Sequence, residues 1–451
     1  MNGSPDEQVT DRIVDFARTL DAQRLPAAVR HEFTRSFVDS VGCIVGGSSH
    51  AAVANATATL SSFFGPAEAS LLGQGKQADL FHAALINGLA GASYSFFDSY
   101  SSAHLHAGVV HAAALLAVAE RTKVSGADFL SAYCAGIEVA CRLTKAIAVP
   151  PAQADIGWSI GGIVCGLSSA LAAGKLLVLD HHHLTWALGI AASGASGTRA
   201  EQGAMTAGLL YGQAAQAGVR AAILASGGFS SSARSLEARH GYANAFSKQP
   251  NLRALVENLD ETFEGPSTTY KPFPTDIAIH PGIDAMLRLK SKHAVVSSDI
   301  KRVHITVSEL AATFCDRPSP ADELEAKFSL QHWVAAVAVH GKAQLEQGRL
   351  DVVQDPEIAR MRTATVVVAD PSLEWDAVRM TVELADGRQL TEEVAHCVGS
   401  PESPMSDGDI TDKFIAQAGL AIGYERATDL VASCWSVQEL PNVSALAESA
   451  R

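Results

Sequence analysis

Apolar positions recur with a helical period from about Asp6 to residue 260, and this pattern predicts helix almost throughout that stretch. Runs such as 107-AGVVHAAALLAVAERT, 126-GADFLSAYCAGIEVACRLTKAI, 161-GGIVCGLSSALAAGKLLVL and 205-MTAGLLYGQAAQAGVRAAILAS are long and rich in Ala and Leu. Gly and short polar runs separate them. Ala is the best helix former, and Ala/Gly faces let helices approach closely. Asp180, ahead of 181-HHHLTWALGIAAS, is placed to cap a helix. The 181-HHH run itself is expected to be a solvated loop.

The period changes near residue 295. The stretches 300-IKRVHITVS, 363-TATVVVAD and 378-VRMTVELADGRQLTEEV alternate apolar and polar residues, and the last carries an Asp-Gly hairpin signal. Helical patterns accompany them at 281-PGIDAMLRLKSK and 326-AKFSLQHWVAAVAVHGKAQLEQ. After the loop 398-VGSPESPMSDGDIT the pattern is helical to the end. The expected class is mainly α: a large all-helical domain at 1–267, an inserted α+β domain at 268–398, and C-terminal helices at 399–451 that return to the first.

Composition narrows the function. The chain of 451 residues is 47% hydrophobic and only 18% charged, which favours large cores and hidden helix surface. A formal net charge of −14 without a Lys/Arg cluster argues against nucleic acid as a partner. Seven scattered cysteines, none in C-x-x-C spacing, point to a reducing compartment and away from a zinc or iron–sulfur site. The polar, acidic start MNGSPDEQVTDRIVDF lacks signal-peptide character, and no run is long and apolar enough for a membrane span. A cytoplasmic protein with no membrane partner is expected.

Chemistry-bearing residues concentrate in 97-FDSYSSAHLHAGVVHAAALLAVAE. A helix starting near Ala107 places His106 at its positive end, where the imidazolium is disfavoured and a neutral base is easier to keep. Asp98, in a segment read as a turn, is suited to orient an imidazole or to act as an acid–base group. The alternative reading of the pair is helix capping and packing. His104 and His106 form an H-x-H pair, but no third metal ligand lies near. His111 reads as a satisfied core histidine. In 270-YKPFPTDIAIHPGIDAMLRL, His280 precedes a proline favoured at the first helical position, and Lys271 lies in a rigid Pro-flanked segment suited to a fixed cation. The glycines of 156-IGWSIGGIVCG fit either a backbone nest for an anion or tight helix packing.

Taken in order, several stretches resemble the MmgE/PrpD family, which includes 2-methylcitrate dehydratase, cis-aconitate decarboxylase and iminodisuccinate epimerase. They are 39-DSVGCIVGG; 87-NG with Asp98 and the 106-HAG helix; 136-GIEVACRL; 157-GW with AAGKLLVLD; 188-LGIAASGASG; the 205-MT helix; 271-KPFP with HPGIDA; 327-KFSLQHWVA; and 386-DGR with GSP. The resemblance implies a large helical domain with a smaller α+β lid, usually in a homodimer, and no metal or organic cofactor. It implies a small carboxylate substrate, with a proton shifted next to the carboxylate.

Asp98, His106, Lys271 and His280 match positions that the family uses in its cleft, so they are the expected catalytic residues. Lys271, Ser159 and His104 are the expected substrate contacts. The chain also departs from the pattern: Ser159 stands where the family usually has His, Ala207 where it has Lys, and Leu210 where it has His. Asp276 stands where the decarboxylases carry a second His, and Phe314 falls where those relatives have Tyr. A tricarboxylate would be poorly neutralised by such a set. An acid with fewer carboxylates is therefore expected, and the resemblance implies a dehydratase-type lyase first, because the family's best-known bacterial reactions are dehydrations. An epimerase, isomerase or decarboxylase is the alternative within the family, and a non-catalytic acid-binding relative the alternative of another class.

Overall fold

The computed structural model describes residues 8–103, 105–155, 157–201 and 203–451, with the backbone alone at Leu310. The chain is mainly α with a smaller α+β part, and it divides into two compact units. The larger comprises residues up to Ser93, Phe97–Thr269 and Asp407–Arg451; the smaller comprises Tyr94–Phe96 and Tyr270–Ser406.

Close helix packing defines the larger unit. The Leu80–Ser93 helix packs on Thr206–Ser226, which also packs on Ile160–Leu176. Glycine faces glycine at the first crossing: a Cβ on Gly88 would come 2.8 Å from Gly212 Cα, and one on Gly212 would come 2.2 Å from the Leu85 carbonyl. The Ala/Gly runs thus exchange side-chain volume for backbone approach. The Gly126–Ile147 helix is capped by Ser125, whose hydroxyl accepts the Asp128 amide. The C-terminal Asp407–Ile422 helix packs on Ala27–Gly47, where a Cβ on Gly42 would come 2.8 Å from the Phe414 ring.

Three sequence expectations change. The larger unit is not all helical: Ala69–Leu71 pairs antiparallel with Lys76–Ala78, and Ser99–Tyr100 with Thr268–Thr269. Strands this short lie below what an alternation pattern can reveal. The 181-HHH run is not a loop but the first turn of the His181–Ser193 helix, because Asp180 caps it by accepting the His183 amide. Stretch 326–347 is not one helix: Leu330–His340 is capped by Ser329 and ended by Gly341 in the left-handed region, φ 72°.

In the smaller unit a four-stranded sheet runs in the order Thr365–Ala369, Ile300–Val307, Val378–Leu384, Gln389–Val394. The first pair is parallel and the others antiparallel. Ile300–Val307 and Val378–Leu384 turn alternate residues inward, so Val303, Ile305, Met380 and Val382 share a core with Ile283, Met286, Trp333 and Val337 from the His280–His293 and Leu330–His340 helices. Among the described residues, no single helix is long and apolar enough to cross a membrane.

Candidate active site

In the larger unit the backbone doubles back between Asp98 and His106. The Tyr100 amide donates to the Leu105 carbonyl at 2.9 Å, and pairing with Thr268–Thr269 anchors the outgoing strand. This reversal sets the His106 ring beside the main chain of residue 98, with Nδ1 2.5 Å from the Asp98 carbonyl oxygen. A carbonyl only accepts, so Nδ1 carries the proton. In the neutral ring the lone pair therefore lies on Nε2. Phe97 packs against the ring at 4.3 Å between centroids, and Tyr211 lies 6.1 Å away.

The Asp98 carboxyl points elsewhere. Oδ2 accepts the Gly108 amide at 3.2 Å, capping the Gly108–Thr122 helix one residue beyond the expected start, and the Ser36 hydroxyl at 3.4 Å. Oδ1 is buried and has no hydrogen-bond partner among the described residues. Burial first, then the nearby Asp39 carboxylate, pushes Asp98 up to about 7, while the Gly108 amide, Lys413 and Ser36 pull it back. Asp98 therefore caps the helix with its side chain and orients His106 with its main chain. Behind it, Lys413 Nζ and Asp39 Oδ1 form a buried ion pair at 2.6 Å. Ser36 and Ser40 both bond the Tyr133 hydroxyl, at 2.9 and 3.3 Å. His111 is a core residue: its ring bonds the Ala107 carbonyl and the Ser168 hydroxyl, and burial lowers it to about 4.

Ser159 sits at the N-cap of the Ile160–Leu176 helix without a side-chain capping bond. The glycine stretch is taken up by packing and internal bonds. The Gly157 amide goes to Asp155 and the Ser159 amide to the Gly197 carbonyl, while a Cβ on Gly161 would come 2.8 Å from the Tyr211 ring. Tyr211 therefore stands between this helix start and His106. Its phenol is pushed up by burial. His104 lies outside the described residues.

Lys271 and His280 belong to the smaller unit, and both are buried. Lys271 Nζ donates to the Ser95 carbonyl at 3.0 Å. His280 opens the His280–His293 helix, edge-on to Phe273 at 5.4 Å. Asp276 caps the short turn before it by accepting the Ala278 amide at 3.0 Å, which accounts for an acid at that position. A second lysine accompanies the first: Lys327 is lowered to about 8 by burial and then by the charge of Lys271. The Lys327 carbonyl accepts the Asp276 amide at 3.4 Å, tying its segment to the Lys271 loop.

Sequence reasoning missed Asp39, Lys327, Lys413 and Tyr211 as site residues. Asp39, Lys327 and Tyr211 lie inside stretches already quoted for the family resemblance, whereas Lys413 carried no local signal. Asp376, His396 and Glu402 also cluster, with ligand atoms within 4.8 Å of one another, but His396 already bonds Asp376 at 2.8 Å and two of the three are exposed.

The MmgE/PrpD N-terminal domain matches residues 11–255 and the MmgE/PrpD C-terminal domain residues 273–436. The chain belongs to the MmgE/PrpD family. Among curated relatives it is similar to the cis-aconitate decarboxylase of Aspergillus terreus, 26% identical over 98% of this chain and 95% of that protein. The human cis-aconitate decarboxylase is 26% identical over 81% of this chain and 78% of its own length, and the Mus musculus protein 27% over 81% and 77%.

Proposed function

We propose that this protein is a cofactor-independent lyase that moves a proton next to the carboxylate of a small organic acid. One observation carries the reading: the Asp98 carbonyl holds His106 as the Nδ1–H tautomer and leaves Nε2 as the base. The relatives' names support the lyase class, since loss of a carboxyl group is a lyase reaction.

In the dehydration of a hydroxy acid, His106 Nε2 takes the proton from the carbon beside the carboxylate. The C–H electron pair forms the new double bond as the C–O bond breaks, and His280 gives a proton to the departing hydroxyl, releasing water. Lys271 binds the carboxylate and stabilises its enolate-like charge, with Lys327 adding a second cation at neutral pH. Decarboxylation uses the same parts in another order. The C–C bond to the carboxyl group breaks, carbon dioxide leaves, and His106, entering this step as the imidazolium, gives its Nε2 proton to the carbon that received the electron pair and ends neutral. Ser159 and Ala207 supply no charge for further carboxylates, so an acid with few carboxylates is the proposed substrate; dehydration ranks first because the family's best-known bacterial reactions are dehydrations.

Incubation with small hydroxy and unsaturated acids in D₂O, followed by proton NMR, tests the reading. Turnover with deuterium at the carbon beside the carboxylate is the expected result. His106→Gln should lower kcat by at least about 100-fold, the scale of an acid–base group. Binding of an acid without exchange or turnover would instead establish a non-catalytic relative. An unchanged kcat in His106→Gln would remove His106 from the chemistry.

A further inference from the structure

We infer that the Tyr100–Glu264 hydrogen bond is a positioning device for His106, tying the chain reversal that carries the imidazole to a charged network inside the larger unit. This rests on the reading of His106 as the proton carrier. Tyr100 shapes the reversal with its main chain: its amide donates to the Leu105 carbonyl at 2.9 Å, and its carbonyl accepts the Ala103 amide at 3.2 Å. The Leu105 carbonyl and the His106 amide share one planar peptide, so fixing the first fixes where the imidazole starts. The side chain of Tyr100 reaches the other way, and its hydroxyl donates to Glu264 Oε2 at 2.7 Å. Glu264 is held independently of this contact. Its Oε1 accepts Lys145 Nζ at 2.5 Å, and its amide donates to Glu138 at 2.8 Å. Arg142 Nε fixes Glu138 at 2.7 Å. The order is Arg142, Glu138, Glu264, Tyr100, Leu105, and a hydrogen bond joins each to the next.

Backbone pairing is too short to hold the reversal by itself. Ser99–Tyr100 meets Thr268–Thr269 over two residues, and an isolated two-stranded ladder is marginal even when longer. The phenol supplies the missing anchor. Tyr100 is 2% exposed, so its hydroxyl must find its acceptor inside the protein. A carboxylate is a stronger acceptor than a neutral oxygen, and Lys145 keeps this one in place. A phenylalanine ring would fill the same space but could not make the tie. The segment bearing Glu264 would stay anchored through Glu138 and Lys145, while the reversal would be free to shift and take His106 with it. Catalysis is sensitive to such displacement: an error of about 1 Å in a reacting group costs on the order of 100-fold.

The test uses the full chain and two substitutions. Tyr100→Phe removes one oxygen and leaves the Lys145, Glu264 and Glu138 bonds in place. Glu264→Gln removes the charge but keeps an acceptor oxygen for the phenol, and the partly exposed Lys145 can turn to water. Circular dichroism and thermal melts establish that each folds. Tyr100→Phe should lose kcat by about 10-fold or more with KM within about twofold, and Glu264→Gln should stay within about threefold of wild type. ¹⁵N NMR of labelled histidines, with His106 assigned by its loss in His106→Gln, should show one Nδ1–H tautomer in wild type and a tautomer mixture in Tyr100→Phe. An unchanged kcat in Tyr100→Phe, or an unchanged His106 tautomer in it, overturns the inference. So does a Glu264→Gln variant as impaired as Tyr100→Phe, because the charge and not the tie would then be at work. An Nε2–H tautomer in the wild-type protein overturns it whatever the variants do. If no acid is turned over, the lyase reading fails while the tautomer still decides the positioning role.

Discussion

At the residue scale, Asp98 is the most informative group. Its carboxyl is held near 7 in the folded chain against 3.8 for an ordinary aspartate, chiefly by burial and then by Asp39. The folded state therefore binds more protons than the unfolded state between those values, and this group's contribution to stability falls as pH rises from about 4 to about 7. Asp98→Asn removes that dependence and keeps an acceptor for the Gly108 amide. Chemical denaturation from pH 4 to 7 should show the variant gaining on wild type as pH rises, and the opposite trend would refute the raised value. Lys327 carries a second expectation. Its ammonium is lowered to about 8 by burial and by Lys271, so its charge is lost above that pH. KM for an acid substrate should rise above pH 8, and Lys327→Met should flatten that limb; a limb unchanged in Lys327→Met excludes the residue from acid binding. Sequence spacing pointed to Asp98 and His106 as a pair. It could not show that the link runs through the carbonyl, because which oxygen faces a ring is set by backbone dihedrals.

Individual elements obey local chemistry where caps and periodicity agree. The Gly126–Ile147 helix is legible because Ser125 caps it and its apolar stripe persists over its whole length. The break at Gly341 is harder to read, since the apolar period continues across it. Within elements, two positions are expected to be sensitive. A Cβ at Gly108 would come 2.3 Å from Ser40 Oγ and 2.7 Å from Asp98 Oδ2, so Gly108→Ala should cost about 1–3 kcal/mol and displace the Asp98 carboxyl. A denaturation midpoint equal to wild type would show that the helix start has room to shift. Arg142 donates from Nε to Glu138 at 2.7 Å, and from its other nitrogens to the carbonyls of Glu257 and Thr262. Glu138 in turn accepts the amides of Glu264 and Gly265. Arg142→Leu leaves that carboxylate buried without its partner and should cost about 3–5 kcal/mol, measured by denaturant unfolding.

For the whole molecule, the C-terminal helices complete the larger unit. Asp407–Ile422 supplies Phe414 and Gln417 to the glycine face of Ala27–Gly47 and Lys413 to Asp39. A chain ending at Ser406 would leave that face open to water and Asp39 without its cation. It should lose the cooperative melt of the larger unit, and a melt matching full length would show the return to be dispensable. The sequence by itself determined the mainly helical class, the change to an α+β pattern near residue 295, the family, and the residue types that carry chemistry. Each of those rests on local period, on caps, or on short motifs that stay intact along the chain. Only the tertiary structure decided which atom of Asp98 meets His106, and that Lys413, distant in sequence, pairs with Asp39. Such choices depend on where separate segments pack and on what burial does to their charges, and neither is encoded at any single position.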